Sequence, residues 1–114
     1  MKVVHVYTGN DDESYFEEVS PAYDDHGRAV PDMLGNVSIT LAERTAGSFT
    51  DFHVQPIDKQ YIFYMTCSVE LGMGDGSKVV MEPGDVLIGE DATGHGHTSR
   101  VLSSGHCAFV RQTS

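Results

Sequence analysis

The chain contains 114 residues, 39% of them hydrophobic, and its 17 acidic and 7 basic residues give a formal net charge of −10. This length suffices for one domain with one hydrophobic core. A surface with this excess of negative charge repels phosphate backbones and anionic lipids, so the composition argues against nucleic-acid binding and membrane association.

The sequence also lacks the features of a membrane-bound or exported chain. No apolar run approaches the roughly 20 residues that a membrane-spanning helix needs, and the start, from Met1 to Tyr7, is too short and polar for a signal peptide. Cys67 and Cys107 lie far apart, with no C-x-x-C spacing. We expect a cytoplasmic protein in which both cysteines are reduced packing residues, with a disulfide between two strands as the alternative.

Residues 1–36 are predicted to be an N-terminal extension, rich in acidic residues and broken by prolines. The pattern predicts a first strand over 1–7, a short edge strand over 15–19 and a loop that continues through Met33. We expect this loop either to cover the mouth of a cavity or to pair with a second subunit.

Residues 37–114 show period-two alternation of hydrophobic and polar residues, interrupted by turn signals. The Asp-Gly pair within 72–76 favours the positive φ angles of a hairpin turn, and Pro83-Gly84-Asp85 marks another turn. Strands are predicted over 37–42, 48–55, 60–66 with a continuation through 69–71, 78–81, 86–88, 95–102 and 106–111. About ten short strands without helical periodicity predict one all-β domain, either a barrel or a double-sheet jelly roll.

Polar side chains recur at fixed positions in two of these strand-and-turn blocks. The first block contains His53, Gln55, Gln60 and Tyr64, and the second ends in His95-Gly96-His97. Because side chains alternate across a strand, Asp51 is expected to share the face of His53, where it adds negative charge or fixes the tautomer of the ring. Imidazoles from both blocks are therefore predicted to meet in one cavity. The pair Glu90-Asp91 is expected to be a solvated turn.

The spacing of these residues resembles that of the cupin superfamily, whose motifs are G-x5-H-x-H-x3,4-E-x6-G and G-x5-P-x-G-x2-H-x3-N. Gly47 and His53 match the first motif, in which Gln55 replaces the second His, Gln60 the Glu and Cys67 the closing Gly. Gly84 matches the second motif, in which the replacements are Glu90 for Pro, Ala92 for Gly and Ser99 for Asn. The resemblance covers roughly residues 37–111 and implies a cupin-type double-stranded β-helix, or jelly-roll barrel.

The resemblance leaves two candidates for the His of the second motif. Strict spacing favours His95, whereas a longer loop over 90–94 transfers the role to His97. We favour His97 because it lies further into a predicted strand, and we retain both.

A complete cupin site offers three His and one Glu to a divalent metal. By this resemblance the metal candidates are His53, His97, His95, Gln60, Gln55 and Asp51. Amides are poorer ligands than imidazole or carboxylate. The resemblance therefore implies either a weakly bound Zn, Mn, Fe or Ni ion or no metal at all.

Neutral imidazoles suit proton transfer at about pH 7. The resemblance implies a small enzyme, of the isomerase, lyase (dehydratase) or cyclase type, that acts on a small polar organic molecule. Its catalytic candidates are His53, His97, Gln60 and Tyr64. The alternatives are a non-catalytic cupin that binds a sugar or an organic acid, and a metal-dependent dioxygenase. Because exposed edge strands favour pairing between copies, we also expect a homodimer.

Overall fold

The structure, a computed structural model, describes residues 1–29 and 36–112. These residues form ten strands: β1 (Val3–Thr8), β2 (Ser14–Val19), β3 (Val37–Arg44), β4 (Phe49–His53), β5 (Gln60–Tyr64), β6 (Ser68–Gly72), β7 (Lys78–Met81), β8 (Val86–Gly89), β9 (His97–Ser103) and β10 (Gly105–Gln112). Neither described range contains a helix that could cross a membrane. The predicted all-β class is confirmed, while part of the loop predicted through Met33 lies outside the described residues.

The strands form two sheets. One has six strands in the order β2-β1-β8-β5-β10-β3, and the other has four in the order β4-β9-β6-β7. In the described part of the chain each sheet keeps two edge strands, so the sheets do not close into a barrel. Of the predicted architectures, the closed barrel is therefore corrected to an arrangement of two sheets.

The hydrophobic core lies between the two sheets. Both contribute alternate residues to it, as period-two patterning requires. The fully buried members include Val4, Leu87 and Cys107 from the larger sheet, and Leu71 and Met81 from the smaller one. Cys67 is also fully buried, and both cysteines are free thiols.

The N-terminal strands belong to the larger sheet. β1 pairs antiparallel with β2 and parallel with β8, where Val3 is opposite Val86. Val4 and Val6 of β1 are completely buried. The strands on either side of the predicted boundary between 1–36 and 37–114 therefore share one sheet.

Edge strand β3 turns its apolar residues outward. Ile39 is 68% exposed and Leu41 is 75% exposed. The alternate residues face inward: Ala42 packs against the core, and Arg44 lines a cavity between the sheets. The regular apolar alternation of β3 thus lies on an exposed face. Its opposite face places the positively charged side chain of Arg44 at the cavity.

Candidate functional site

A cavity of about 340 Å³ lies between the two sheets. Its polar lining comprises His53, Gln55, Gln60, Tyr64, His97, Ser99, Thr50, Arg44 and Arg111. A second hollow of about 270 Å³ lies on the outer face of the larger sheet. The described residues that line it are mostly apolar and include no His, Arg or carboxylate. The cavity between the sheets is therefore the candidate functional site.

Two imidazoles face each other across neighbouring strands. His53 of β4 and His97 of β9 are cross-strand partners, and their ring centroids lie 4.6 Å apart. Gly96 makes this approach possible, because a Cβ there would overlap the carbonyl oxygen of His53. Nδ1 of His53 lies 2.8 Å from the backbone oxygen of Asp51. A carbonyl oxygen can only accept a hydrogen bond, so Nδ1 of His53 carries the proton and Nε2 is left as an acceptor.

His97 is held by a buried carboxylate. Its Nδ1 donates to Oδ2 of Asp91 at 2.5 Å, and the two side chains are 4% and 0% exposed. Ser14 Oγ of β2 donates to the same oxygen at 2.6 Å. This arrangement fixes the tautomer of His97 with Nε2 unprotonated, and it stabilises the positive charge that the ring acquires on accepting a proton.

Burial raises the pKa of Asp91, but the hydrogen bond and the charge of His97 outweigh it, and the bond from Ser14 adds to them. The net result is a pKa of Asp91 below its ordinary value, so the side chain is ionised at neutral pH. Among the described residues no hydrogen-bond donor reaches its other oxygen, Oδ1. The interpretation of Glu90-Asp91 as a solvated turn is therefore wrong for Asp91.

Asp51 does not join His53 in the cavity. The pairing of β4 with β9 shifts between Thr50 and His53, so the two residues of β4 between them lie opposite a single residue of β9. Such a β-bulge breaks the alternation of side chains. As a result Thr50 and His53 both line the cavity, whereas Asp51 is exposed. The expectation that Asp51 shares the face of His53 is corrected for this reason.

His95 also lies outside the cavity. Its side chain is 47% exposed and bonds Glu13 at 2.9 Å through Nδ1. Its ring stacks on Phe52, with the centroids 3.9 Å apart. Of the two His retained from the sequence, the structure brings only His97 to His53.

Gln55, Gln60 and Arg111 form a chain of hydrogen bonds at the same end of the cavity. Arg111 donates through Nε to Oε1 of Gln60 at 2.8 Å, and Gln60 in turn donates through Nε2 to Oε1 of Gln55. The backbone N–H of Gln55 donates to the carbonyl of Asp91 at 3.1 Å, which ties this network to His97. Both amide oxygens are therefore engaged within the protein.

Tyr64 follows Gln60 along the inner face of β5 and is 3% exposed. Burial raises its pKa, and Cys107 adds to the effect, whereas the positive charge of Arg44 lowers the pKa. The side chain is therefore a neutral phenol, able to donate a hydrogen bond but not to act as a base near neutral pH.

The donor set does not fit the metal site that the resemblance implies. Among the described residues, no three His, Cys, Asp or Glu side chains are grouped to hold an ion. The cavity offers two imidazole nitrogens, while the amide oxygens of Gln55 and Gln60 accept hydrogen bonds instead. Transition metals bind such neutral amides weakly.

Comparison with known proteins adds no assignment. No protein-family model matches the chain, and no curated protein is significantly similar to it.

Sequence reasoning missed four residues of this site: Asp91, Ser14, Arg44 and Arg111. Of these four residues, Arg44 was the one whose position the sequence pattern could have shown. Alternation along β3 places its side chain on the face opposite the apolar residues. Ser14 and Asp91 carry no comparable local signal, since they meet only when β2 packs beside the loop that follows β8.

Proposed function

We propose that this protein is a small-molecule enzyme of the cupin type that transfers protons through His97 and His53. The observation that carries the proposal is the buried His97–Asp91 pair, whose imidazole faces a second imidazole inside a cavity. The two packed sheets and the motif spacing support a cupin-type jelly roll as its architecture.

In this proposal Nε2 of His97 is the general base. It accepts a proton from a carbon or oxygen atom of the bound molecule, and Asp91 stabilises the imidazolium that forms. The ring of His53, on the neighbouring strand, donates a proton to a second atom of the same molecule when its Nε2 is protonated. The proton taken up by His97 then returns to His53, whose ring centroid lies 4.6 Å away, and this completes the cycle. Gln60 orients the ligand, and Tyr64 donates a hydrogen bond from the wall. Proton removal and return at two atoms yields an isomerisation, a dehydration or a cyclisation.

The test measures proton transfer without knowledge of the substrate. Pyruvate, acetoacetate and dihydroxyacetone are incubated in D₂O, and loss of their α-proton signals is followed by ¹H NMR. We expect the protein to accelerate exchange for at least one of them, and His97→Asn to abolish the acceleration. His95→Asn is the matched control, because it removes an imidazole outside the cavity. Equal exchange with His97→Asn, or no exchange of a probe that binds, would contradict the proposal.

A second candidate is a binding protein without turnover, which the Gln55–Gln60–Arg111 network favours because it offers fixed polar groups to a sugar or an organic acid. Binding without exchange would identify it. The dioxygenase alternative requires a bound metal such as iron or nickel, so plasma mass spectrometry of the purified protein tests it directly. Stoichiometric iron or nickel would favour oxygen chemistry over the proposed proton transfer.

The homodimer and the cytoplasmic location remain predictions. Association of two copies with a charge of −10 each requires an uncharged contact surface. The exposed Ile39 and Leu41 on edge strand β3 provide one that a second copy can match in an antiparallel pairing. Light scattering with Ile39→Lys as the disrupting variant tests this: a wild-type monomer would contradict the prediction.

A further inference from the structure

The cavity has a charge opposite to that of the protein as a whole. The chain has 17 acidic residues and only four arginines. Among the described residues, however, no carboxylate lines the cavity, whereas two of the arginines do. Asp91 does not line the cavity, and its Oδ2 accepts hydrogen bonds from His97 and Ser14. Both arginine side chains are half-buried, and an anion beside a partly desolvated positive charge stabilises it. The lining therefore favours a negatively charged group.

Arg44 is the cation that lacks a partner. It ends β3 opposite Gly105, and no hydrogen bond or ion pair joins its guanidinium to any described residue. Arg111, by contrast, donates to Gln60 and lies over the ring of Phe109, 5.2 Å from its centroid. The demand for an anion is thus strongest at Arg44.

A second unpartnered polar group lies beside Arg44. The hydroxyl of the 3%-exposed Tyr64 bonds to none of the described residues, although Tyr64 lines the cavity. Tyr64 is opposite Cys107 of β10, which is opposite Ala42 of β3, two residues before Arg44, and both Tyr64 and Arg44 line the cavity. The positive charge of Arg44 also lowers the pKa of this phenol. A guanidinium and a neutral phenol offer several N–H donors and one O–H donor to the same region, as a carboxylate requires.

We propose that the cavity binds an organic acid whose carboxylate is held by Arg44 and Tyr64, which deepens the proposed function and rests on it for the role of the opposite end. Tyr64 and Gln60 are four residues apart on β5, or about 13 Å along the strand. Gln60 belongs to the end of the cavity that holds His97 and Gln55. Between these ends the walls include the apolar side chains of Ile62, Val69, Leu71 and Leu87.

This geometry defines the substrate class. The ligand has a carboxylate at one end, an apolar body, and at the other end a polar group that reaches the imidazoles. A para-hydroxylated aromatic acid has this distribution, because its two polar ends are separated by a ring. Such a molecule fits a cavity of about 340 Å³.

The experiment compares acids with their uncharged amides. The probes are 4-hydroxyphenylacetate, 4-hydroxybenzoate and hexanoate, each paired with its amide, and dissociation constants are measured by titration at fixed ionic strength. A charge-assisted hydrogen bond in a closed site corresponds to roughly a 10- to 100-fold effect. We expect the wild type to prefer at least one acid by that factor, Arg44→Met to remove the preference, and Arg44→Lys to retain part of it.

Arg100→Met is the matched control, because it changes the net charge by the same amount. Arg100 is exposed and lies over the ring of Phe49, outside the cavity. It is expected to keep the full preference. Equal binding of acid and amide, a preference that survives Arg44→Met, or no binding of any acid at millimolar concentration would overturn the inference. Folding of each variant is verified by its melting temperature.

This result is independent of the proposed proton transfer. His97→Asn is expected to abolish exchange while the preference for the acid remains. An Arg44-dependent preference without exchange in the wild type would remove the catalytic proposal alone. Exchange without any acid preference would remove only the carboxylate site.

Discussion

Two His–carboxylate pairs lie on opposite sides of the same strand end and differ mainly in burial. His97 bonds Asp91 at 2.5 Å with both side chains almost fully buried, and His95 bonds Glu13 at 2.9 Å with side chains 47% and 36% exposed. Both bonds use Nδ1 of the imidazole. Residue type and bond geometry are thus nearly the same inside and outside the cavity.

The difference teaches that solvent access decides what such a pair does. Around His95, water screens the charges and competes for the hydrogen bond. Around His97, the carboxylate is fully buried and accepts hydrogen bonds from His97 and Ser14. The inner pair therefore holds one tautomer and stabilises a charged ring, whereas the outer pair contributes little more than local order.

Removal of the inner carboxylate should have the largest effect on stability. Asp91→Ala leaves the N–H of His97 and the hydroxyl of Ser14 buried without an acceptor. Each buried donor left without an acceptor costs about 1–3 kcal/mol, so we expect the free energy of unfolding in urea to fall by about 2–6 kcal/mol. Glu13→Ala, which breaks the outer pair, is expected to cost about 0–1 kcal/mol. Equal losses for the two variants would contradict the comparison.

The inner pair should also shape the acid limb of the stability curve. The pKa of Asp91 is lower in the folded protein than its ordinary value of 3.8, so its contribution is present above that value and is lost as the pH falls through the folded-state pKa. We expect unfolding free energies measured from neutral pH downward to fall less steeply in Asp91→Asn than in the wild type. Asp58→Asn, at an exposed position, is the matched control. Parallel curves for Asp91→Asn and the wild type would refute this assignment.

The sequence predicted the all-β class and the strand positions because alternation and turn residues are local signals. It could not predict the bulge before His53, since register depends on how β4 pairs with β9. The burial of Asp91 was equally hidden, because a carboxylate in a polar loop is ordinarily solvated. Arg44 was overlooked because the apolar face of β3 suggests a core contact, although in the structure that face is exposed.

The hydroxyl that supports the inner carboxylate provides a smaller test. Ser14→Ala removes a donor at 2.6 Å from Asp91 in a buried setting, where Ser14 is 1% exposed. We expect a loss of about 1–3 kcal/mol in the free energy of unfolding. Ser77→Ala is a matched control, since Ser77 Oγ donates to Asp75 at the same 2.6 Å on the exposed surface. That change should stay within about 0.5 kcal/mol, and a comparable loss at both sites would show that burial is not the cause.

The smallest expected effect is the coupling between His95 and Glu13. A double-mutant cycle with His95→Asn and Glu13→Gln isolates their interaction from the stacking of His95 on Phe52. We expect a coupling of about 0.2–1 kcal/mol that weakens as salt is added, because both groups are open to solvent. A coupling energy as large as the stability loss of Asp91→Ala, with no dependence on salt concentration, would mean that solvent exposure does not distinguish the two pairs. The role assigned to the buried carboxylate would then need another cause.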